Sequence, residues 1–180
     1  MGSAPAIFST RRLVLRPMHE GDVAFTAAVL GALAVSRRLA RVPHPYTEAD
    51  ARAWLTQVER LRQEAVLDHF MIDLADGQAV GAIGLHAEGP DATDAEVGYW
   101  IAPAHWNKGY AREALGAVVR HAFEVRTPRL AVMHARAQRA NPASIRVLLA
   151  CGFTEEHDTV CHSAATGIDE PALHFTLRRA

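Results

Sequence analysis

The stretch Ala95-Glu-Val-Gly-Tyr-Trp-Ile-Ala-Pro-Ala-His-Trp-Asn-Lys-Gly-Tyr-Ala-Arg-Glu-Ala-Leu115 carries a strand-like run through one short loop into an amphipathic helix. Val97, Tyr99 and Trp100 suit a pleated surface, and Pro103 has no amide to give a ladder, so the strand is predicted to stop near Ile101. From Ala111 onward the apolar residues Ala111, Ala114, Leu115, Val118 and Ala122 recur at helical spacing, with Arg112, Glu113, Arg120 and Glu124 on the other face. The helix is therefore predicted to begin around Gly109. Its first amide groups lack intrahelical partners and sit at the positive end of the helix dipole. Gly109 and the small Ala111 let an anion approach the main chain and Lys108 adds charge, which together describe a phosphate cradle. A strand, a glycine and a helix also follow one another in most α/β proteins, so the spacing by itself allows an ordinary joint as well.

The segment Trp106-Asn-Lys-Gly-Tyr-Ala111 resembles the Q/R-x-x-G-x-G/A acetyl-CoA loop of the GNAT N-acetyltransferase superfamily, in its RimJ/RimL type, where a tryptophan often stands first. Asn107 occupies the second place, where glycine is usual. Downstream, Asn141-Pro-Ala-Ser-Ile-Arg-Val-Leu-Leu-Ala-Cys-Gly-Phe153 is similar to the N-x-x-S-x-x-x-x-x-x-x-G-F signature of that type, and Thr10-Arg-Arg-Leu-Val-Leu-Arg-Pro17 resembles its first strand. The chain departs from the family at Leu149 and Ala150, where Glu-Lys is frequent, and at Leu148, where many members carry a tyrosine; a tyrosine acid at that position is excluded. The resemblance implies that Tyr99, Trp100, Ile101, Trp106, Asn107, Lys108, Gly109, Tyr110, Ala111 and Asn141 bind acetyl-CoA; no metal is expected, because the histidines lack ligand spacing.

Composition is compatible with this. The 180 residues fit a single domain, 1–180, and can bury a sizeable core. With 19 basic and 20 acidic residues the net charge is -1, which argues against a nucleic-acid or membrane partner. No apolar run approaches the roughly 18 residues of a membrane helix, and Met1–Ala6 lacks a signal-peptide pattern, so a cytoplasmic location is expected. Cys151 and Cys161 make no CxxC pair and are expected as reduced thiols, Cys151 as a small buried hydrophobe. The histidines lack ligand spacing.

In order, the chain predicts a strand over 11–16, a helix opened by His19-Glu-Gly-Asp22, and a looser segment over 36–45. A long helix capped by Thr47-Glu-Ala-Asp50 follows, then a hairpin turning at Asp76-Gly77. After the opening strand and helix come a strand at 130–137, a short helix at 142–150 and a tail hairpin. The fold class is α/β (α+β), a mixed and mostly antiparallel sheet with helices on both faces. The resemblance adds that the parallel strands Ala95–Ile101 and Leu130–Ala137 splay apart to admit the pantetheine arm. Gly98 suits a bulge in the first of them.

N-acetylation needs a neutral amine, a stabilised oxyanion and a departing thiolate. Glu96, on the opposite strand face from Val97 and Tyr99, is the candidate base, directly or through water; a solvated strand face or an ion pair would also explain it. By the resemblance Ser144 donates a hydrogen bond to the sulfur, a hydroxyl that could equally serve the helix start. Asn141 precedes Pro142 as a natural N-cap, a role compatible with bonding the pantetheine amide. Amides near Tyr99 and Trp100 are expected to hold the oxyanion. His134 is a core histidine before it is a catalyst. The expected function is acetyl transfer from acetyl-CoA to a primary amine, a protein N-terminus or a small molecule, in a ternary complex. The alternative is a noncatalytic acyl-CoA-binding sensor on the same fold, which a dispensable Glu96 and Ser144 would favour. A nicotinamide-dependent oxidoreductase is disfavoured, since no G-x-G-x-x-G follows a strand. A homodimer is left open.

Overall fold

Runs in which alternate side chains are apolar become strands, because the pleat sends successive residues to opposite faces. In the computed structural model, which describes residues 7–126 and 129–179, eight such runs make one sheet. They are β1 (Phe8–Ser9), β2 (Leu13–Arg16), β3 (Leu67–Leu74), β4 (Ala79–Ala87), β5 (Asp94–Ile101), β6 (Val132–Gln138), β7 (Thr154–Ser163) and β8 (Ile168–Arg178). Their order in space is β1-β2-β3-β4-β5-β6-β8-β7, and β5–β6 is a parallel pair among antiparallel neighbours. Met1–Ala6, read above for a signal pattern, lies outside the described residues. No helix among the described residues is long and apolar enough to cross a membrane.

Two helical layers cover the sheet. On one face lie α1 (Val23–Leu30), the short α2 (Leu33–Ser36) within the stretch leading into the predicted loose segment, and α3 (Glu48–Gln63). α3 begins where expected, with the Thr47 and Asp50 side chains each accepting from the other's backbone amide. The other face carries α4 (Tyr110–Arg120) and α5 (Pro142–Ala150). Leu115 and Val118 of α4 and Leu148 of α5 pack into the main core with Val97, Met133 and Phe175, all essentially excluded from water. Burial on this scale contributes about 1.5–3 kcal/mol for each large side chain. The hairpin between β3 and β4 turns at Gly77, whose φ of 86° favours glycine, while Asp76 accepts from the Gln78 amide at 3.0 Å.

The bulge expected at Gly98 is absent. β4 and β5 keep an unbroken register from Ala87↔Ala95 to Gly81↔Ile101, and the register shifts fall instead at Ile72/Asp73 and Glu155/His157. The opening beside β5 arises from its neighbour. β6 pairs with β5 only at Asp94↔Val132, Ala95↔Met133 and Glu96↔His134, while its other edge is zipped to β8 along its whole length, from Val132↔Arg178 to Gln138↔Ala172. The strand therefore leaves β5 with β8.

Candidate active site

Parting of β5 and β6 leaves one edge of Val97–Ile101 without a strand partner among the described residues. Which groups face that gap follows from the antiparallel ladder on the other side. The Ala102 amide donates to the Val80 carbonyl at 2.9 Å, and bonded pairs alternate along such a ladder. The amides of Trp100 and Gly98 therefore belong to β4, opposite Ala82 and Gly84, whereas those of Val97, Tyr99 and Ile101 point into the gap. Of the two residues expected to hold an oxyanion, Tyr99 presents its amide there and Trp100 does not. The Trp100 side chain instead packs with Phe25, ring centroids 6.0 Å apart, on the α1–α3 side.

At the end of β5 the chain turns back through a 3-10 turn at Pro103–His105, and the Trp106 indole N–H donates to the Ile101 carbonyl at 2.6 Å. Asn107 has φ 60° and Gly109 φ 80°. Asparagine is among the few residues besides glycine that tolerate the left-handed region, which explains how it replaces the family's usual glycine. Gly109 is the N-cap of α4 and has no side chain to satisfy the first turn; the helix's own bonding starts at the Glu113 amide, 3.1 Å from the Gly109 carbonyl. The amides before it, at Tyr110, Ala111 and Arg112, stay open to an anion, with Lys108 and Arg112 exposed beside them.

Sequence reasoning missed what holds this loop. The Arg12 guanidinium donates from Nε to Glu113 at 2.7 Å and from Nη1 to the Lys108 carbonyl at 3.0 Å, and it lies 4.9 Å from the Tyr110 ring centroid. Glu113 also accepts from the Arg12 amide at 2.9 Å and from Thr10 Oγ1 at 2.6 Å. Burial alone would raise the Glu113 carboxyl, but the bonds from Thr10 and Arg12 outweigh it and hold it below its ordinary value. A Cβ on Gly109 would come 3.3 Å from Arg12 Nη2.

Behind the gap, α5 begins with Asn141 Oδ1 accepting from the Ser144 amide at 3.3 Å, the cap expected before Pro142. Ser144 Oγ lies 2.9 Å from the Tyr99 hydroxyl. Burial pushes Tyr99 up to about 12, so it is a protonated donor at neutral pH. Its role as a side chain was legible only as a tyrosine on the core face, whose hydroxyl must find a partner.

On the opposite face, a cleft of about 370 Å³ runs from Tyr46 and Trp54 to Glu96 and the mouth of the gap. Glu96 is held by Arg136 in a two-pronged ion pair, Nε to Oε1 at 2.8 Å and Nη2 to Oε2 at 2.9 Å. Burial would raise the carboxyl, yet Arg136 overrides it and keeps Glu96 below the usual range, ionised. His86, across the ladder from Glu96, is pushed down to about 4 by burial and by nearby Arg41, and buried His69 to about 4 by burial and His86. Both are neutral near pH 7. His134, the register partner of Glu96, has Nδ1 3.2 Å from Nε2 of His174 and Nε2 3.8 Å from Asp94.

In a further depression of about 560 Å³ both carboxylates are engaged by Arg16, which donates to Asp22 at 2.7 Å and to Asp73 at 2.5 Å; His19 and His105 also line it. Cys151 is half-buried, its sulfur 3.5 Å from the Arg112 carbonyl, and Cys161 is buried; burial raises both thiols.

A model of the acetyltransferase (GNAT) domain matches residues 12–154. The chain is 30% identical over 151 residues to the uncharacterized N-acetyltransferase YoaA of Bacillus subtilis (strain 168), covering 83% of this chain and 84% of that protein. It is 31% identical over 110 residues to the ribosomal-protein-serine acetyltransferase of Escherichia coli (strain K12), covering 61% of this chain and 60% of that one. Its fold matches Mycobacterium smegmatis RimJ, solved in complex with CoA-disulfide, with TM-score 0.83 at 20% identity, over 96% of this chain and 86% of that one. With a parallel pair that parts beyond Glu96 and a domain match over most of its length, the chain belongs to the GNAT acetyltransferase family.

Proposed function

We propose that this protein transfers the acetyl group of acetyl-CoA to a primary amine by direct attack in a ternary complex. The observation that carries the reading is the gap beside β5, lined by the amides of Val97, Tyr99 and Ile101 and lying between the open start of α4 and the cleft that ends at Glu96. The open amides of Tyr110–Arg112 and the left-handed Gly109 fit a diphosphate, with Lys108 and Arg112 supplying charge. Asn141 keeps its capping bond to the Ser144 amide, and bonding the pantetheine arm is the further role this reading gives it. Acetyl-CoA supplies the activated carbonyl carbon that the amine attacks.

The chain's residues then divide the work. The Tyr99 amide stabilises the oxygen that gains negative charge. Ser144, backed by protonated Tyr99, donates to the departing sulfur, whose thiol has pKa about 8.5 and needs little help. Glu96 receives the amine's proton, directly or through water. Because Arg136 lowers its basicity, Glu96 suits an α-amino group of pKa about 7.7–8.0 better than an alkyl amine near 10.4. A cytoplasmic location, which amines and acetyl-CoA share, belongs to the same reading. Neither cysteine is placed or poised as a thiolate nucleophile, which favours direct attack.

The sensor reading draws on one observation, the engagement of Glu96 by Arg136. An acceptor screen that watches free thiol appear from acetyl-CoA, with mass spectrometry of the amine, separates the two. Thiol and acetylated amine in equal amounts are expected; acetyl-CoA binding without thiol release for peptide, amino-acid and alkyl amines alike would leave the sensor.

A further inference from the structure

The cleft in front of Glu96 is lined by two arginines and two carboxylates, and only Arg136 and Glu96 among them pair with each other. Two acids line it, and each is already engaged: Glu96 by Arg136, and Asp50 by the Thr47 amide at 2.8 Å and hydroxyl at 2.6 Å. Arg41 also lines the cleft, and among the described residues no carboxylate pairs with it; its Nη1 lies 3.3 Å from Nδ1 of His86. His86 is the residue directly across from Glu96, so Arg41 stands one side chain away from the candidate base. The loop that carries Arg41 is fixed in place by the Ala164 amide on the Ala40 carbonyl at 3.1 Å and by Gln138 on the Arg37 carbonyl at 3.0 Å. Deeper in, buried His69 has a ring nitrogen, Nδ1, without a partner among the described residues. The remaining walls include Tyr46, Trp54 and Trp100.

Resting on the acetyltransferase reading above, we propose that the acceptor is an amine with an apolar body that also carries a carboxylate, and that Arg41 binds this carboxylate while the amine meets Glu96. A guanidinium recognises a carboxylate in two-pronged geometry, and the aromatic walls bury the body between. A polyamine is disfavoured by the same arrangement, since an ammonium group beside Glu96 would meet Arg41 and Arg136, and Asp50, the other acid of the cleft, is already bonded to Thr47. The carboxylate has two sources: the α-carboxylate of a free amino acid, or an acidic residue behind a peptide N-terminus.

Both sources are tested in matched pairs, L-phenylalanine against L-phenylalaninamide and Phe-Asp-Ala-amide against Phe-Asn-Ala-amide, with wild type and Arg41→Gln. Arg41 is exposed, so the variant keeps the fold. Dividing the wild-type acid-to-amide ratio of kcat/KM by that of the variant cancels intrinsic differences in amine basicity. In one pair this quotient is expected to reach about tenfold or more, the size of a charged hydrogen-bonded contact, with KM for acetyl-CoA unmoved. The pair that shows it names the source. A quotient near one in both pairs overturns the proposal, as does spermidine outpacing every acid. Calorimetric titration of the same amines into CoA-loaded protein reads Arg41 without turnover. Arg41-dependent binding with no thiol release would uphold Arg41 and overturn acetyl transfer; release with no acid preference would do the reverse.

Discussion

Glu96 is pulled two ways, since a base needs a free lone pair and this carboxylate gives both oxygens to Arg136. Glu96→Gln is expected to lower turnover by about 10²–10⁴ while leaving acetyl-CoA affinity intact, measured by steady-state rates and titration calorimetry. Arg136→Gln removes the cation that offsets burial, so the Glu96 pKa rises. In the wild type Glu96 stays ionised throughout pH 6–9, and the acid limb of kcat/KM follows the amine alone. In the variant the limb is expected to steepen at its low-pH end, because Glu96 must now also lose its proton there; identical profiles would show that Arg136 does not tune it. Strand alternation was enough to put Glu96 on the face away from Val97 and Tyr99. It could not supply Arg136, 40 residues on, because pairing between parallel strands depends on a register that only the folded sheet fixes. The Tyr99–Ser144 contact was hidden because it joins β5 to α5, whose packing only the folded molecule sets.

At the scale of elements, the joint between β5 and α4 was readable from Pro103, Gly109 and the helical spacing beyond, and α4 starts at Tyr110 accordingly. What fastens it was not, since Arg12 sits in a segment whose sequence reads only as a first strand. Arg12→Ala is expected to weaken acetyl-CoA binding by about tenfold or more, the loss of charged hydrogen bonds that fix the loop carbonyl and Glu113. Acetyl-pantetheine, which has no diphosphate, should bind variant and wild type alike. Equal losses for both ligands would mean a general loosening of the fold instead. Gly109→Val adds a side chain at φ 80° and toward Arg12, and is expected to cost more acetyl-CoA affinity than Arg12→Ala while near-ultraviolet circular dichroism stays native. The missing bulge at Gly98 has an element-scale cause too: composition marks a flexible point in β5, but β8 draws β6 away.

Across the whole molecule, the two helical layers leave neutral histidines enclosed on the acceptor side. His69 and His86 fall to about 4 in the fold, against about 6.5 in an unfolded chain. As pH drops the unfolded chain takes up protons first, so their contribution is complete above about 6.5 and is lost between there and 4. For enclosed His69 the difference corresponds to about 3 kcal/mol. The urea midpoint is therefore expected to fall from pH 7 to pH 5, and to fall less in His69→Gln; a flat midpoint would contradict it. The same layering puts the cradle and Ser144 on one side of the sheet and the acceptor cleft on the other, so that cofactor and amine meet only through the gap beside β5. That meeting is the central claim, and initial rates with acetyl-CoA and amine both varied test it most directly. Intersecting double-reciprocal lines, with no thiol released before amine is added, are expected; parallel lines with a stoichiometric thiol burst from acetyl-CoA alone would contradict it.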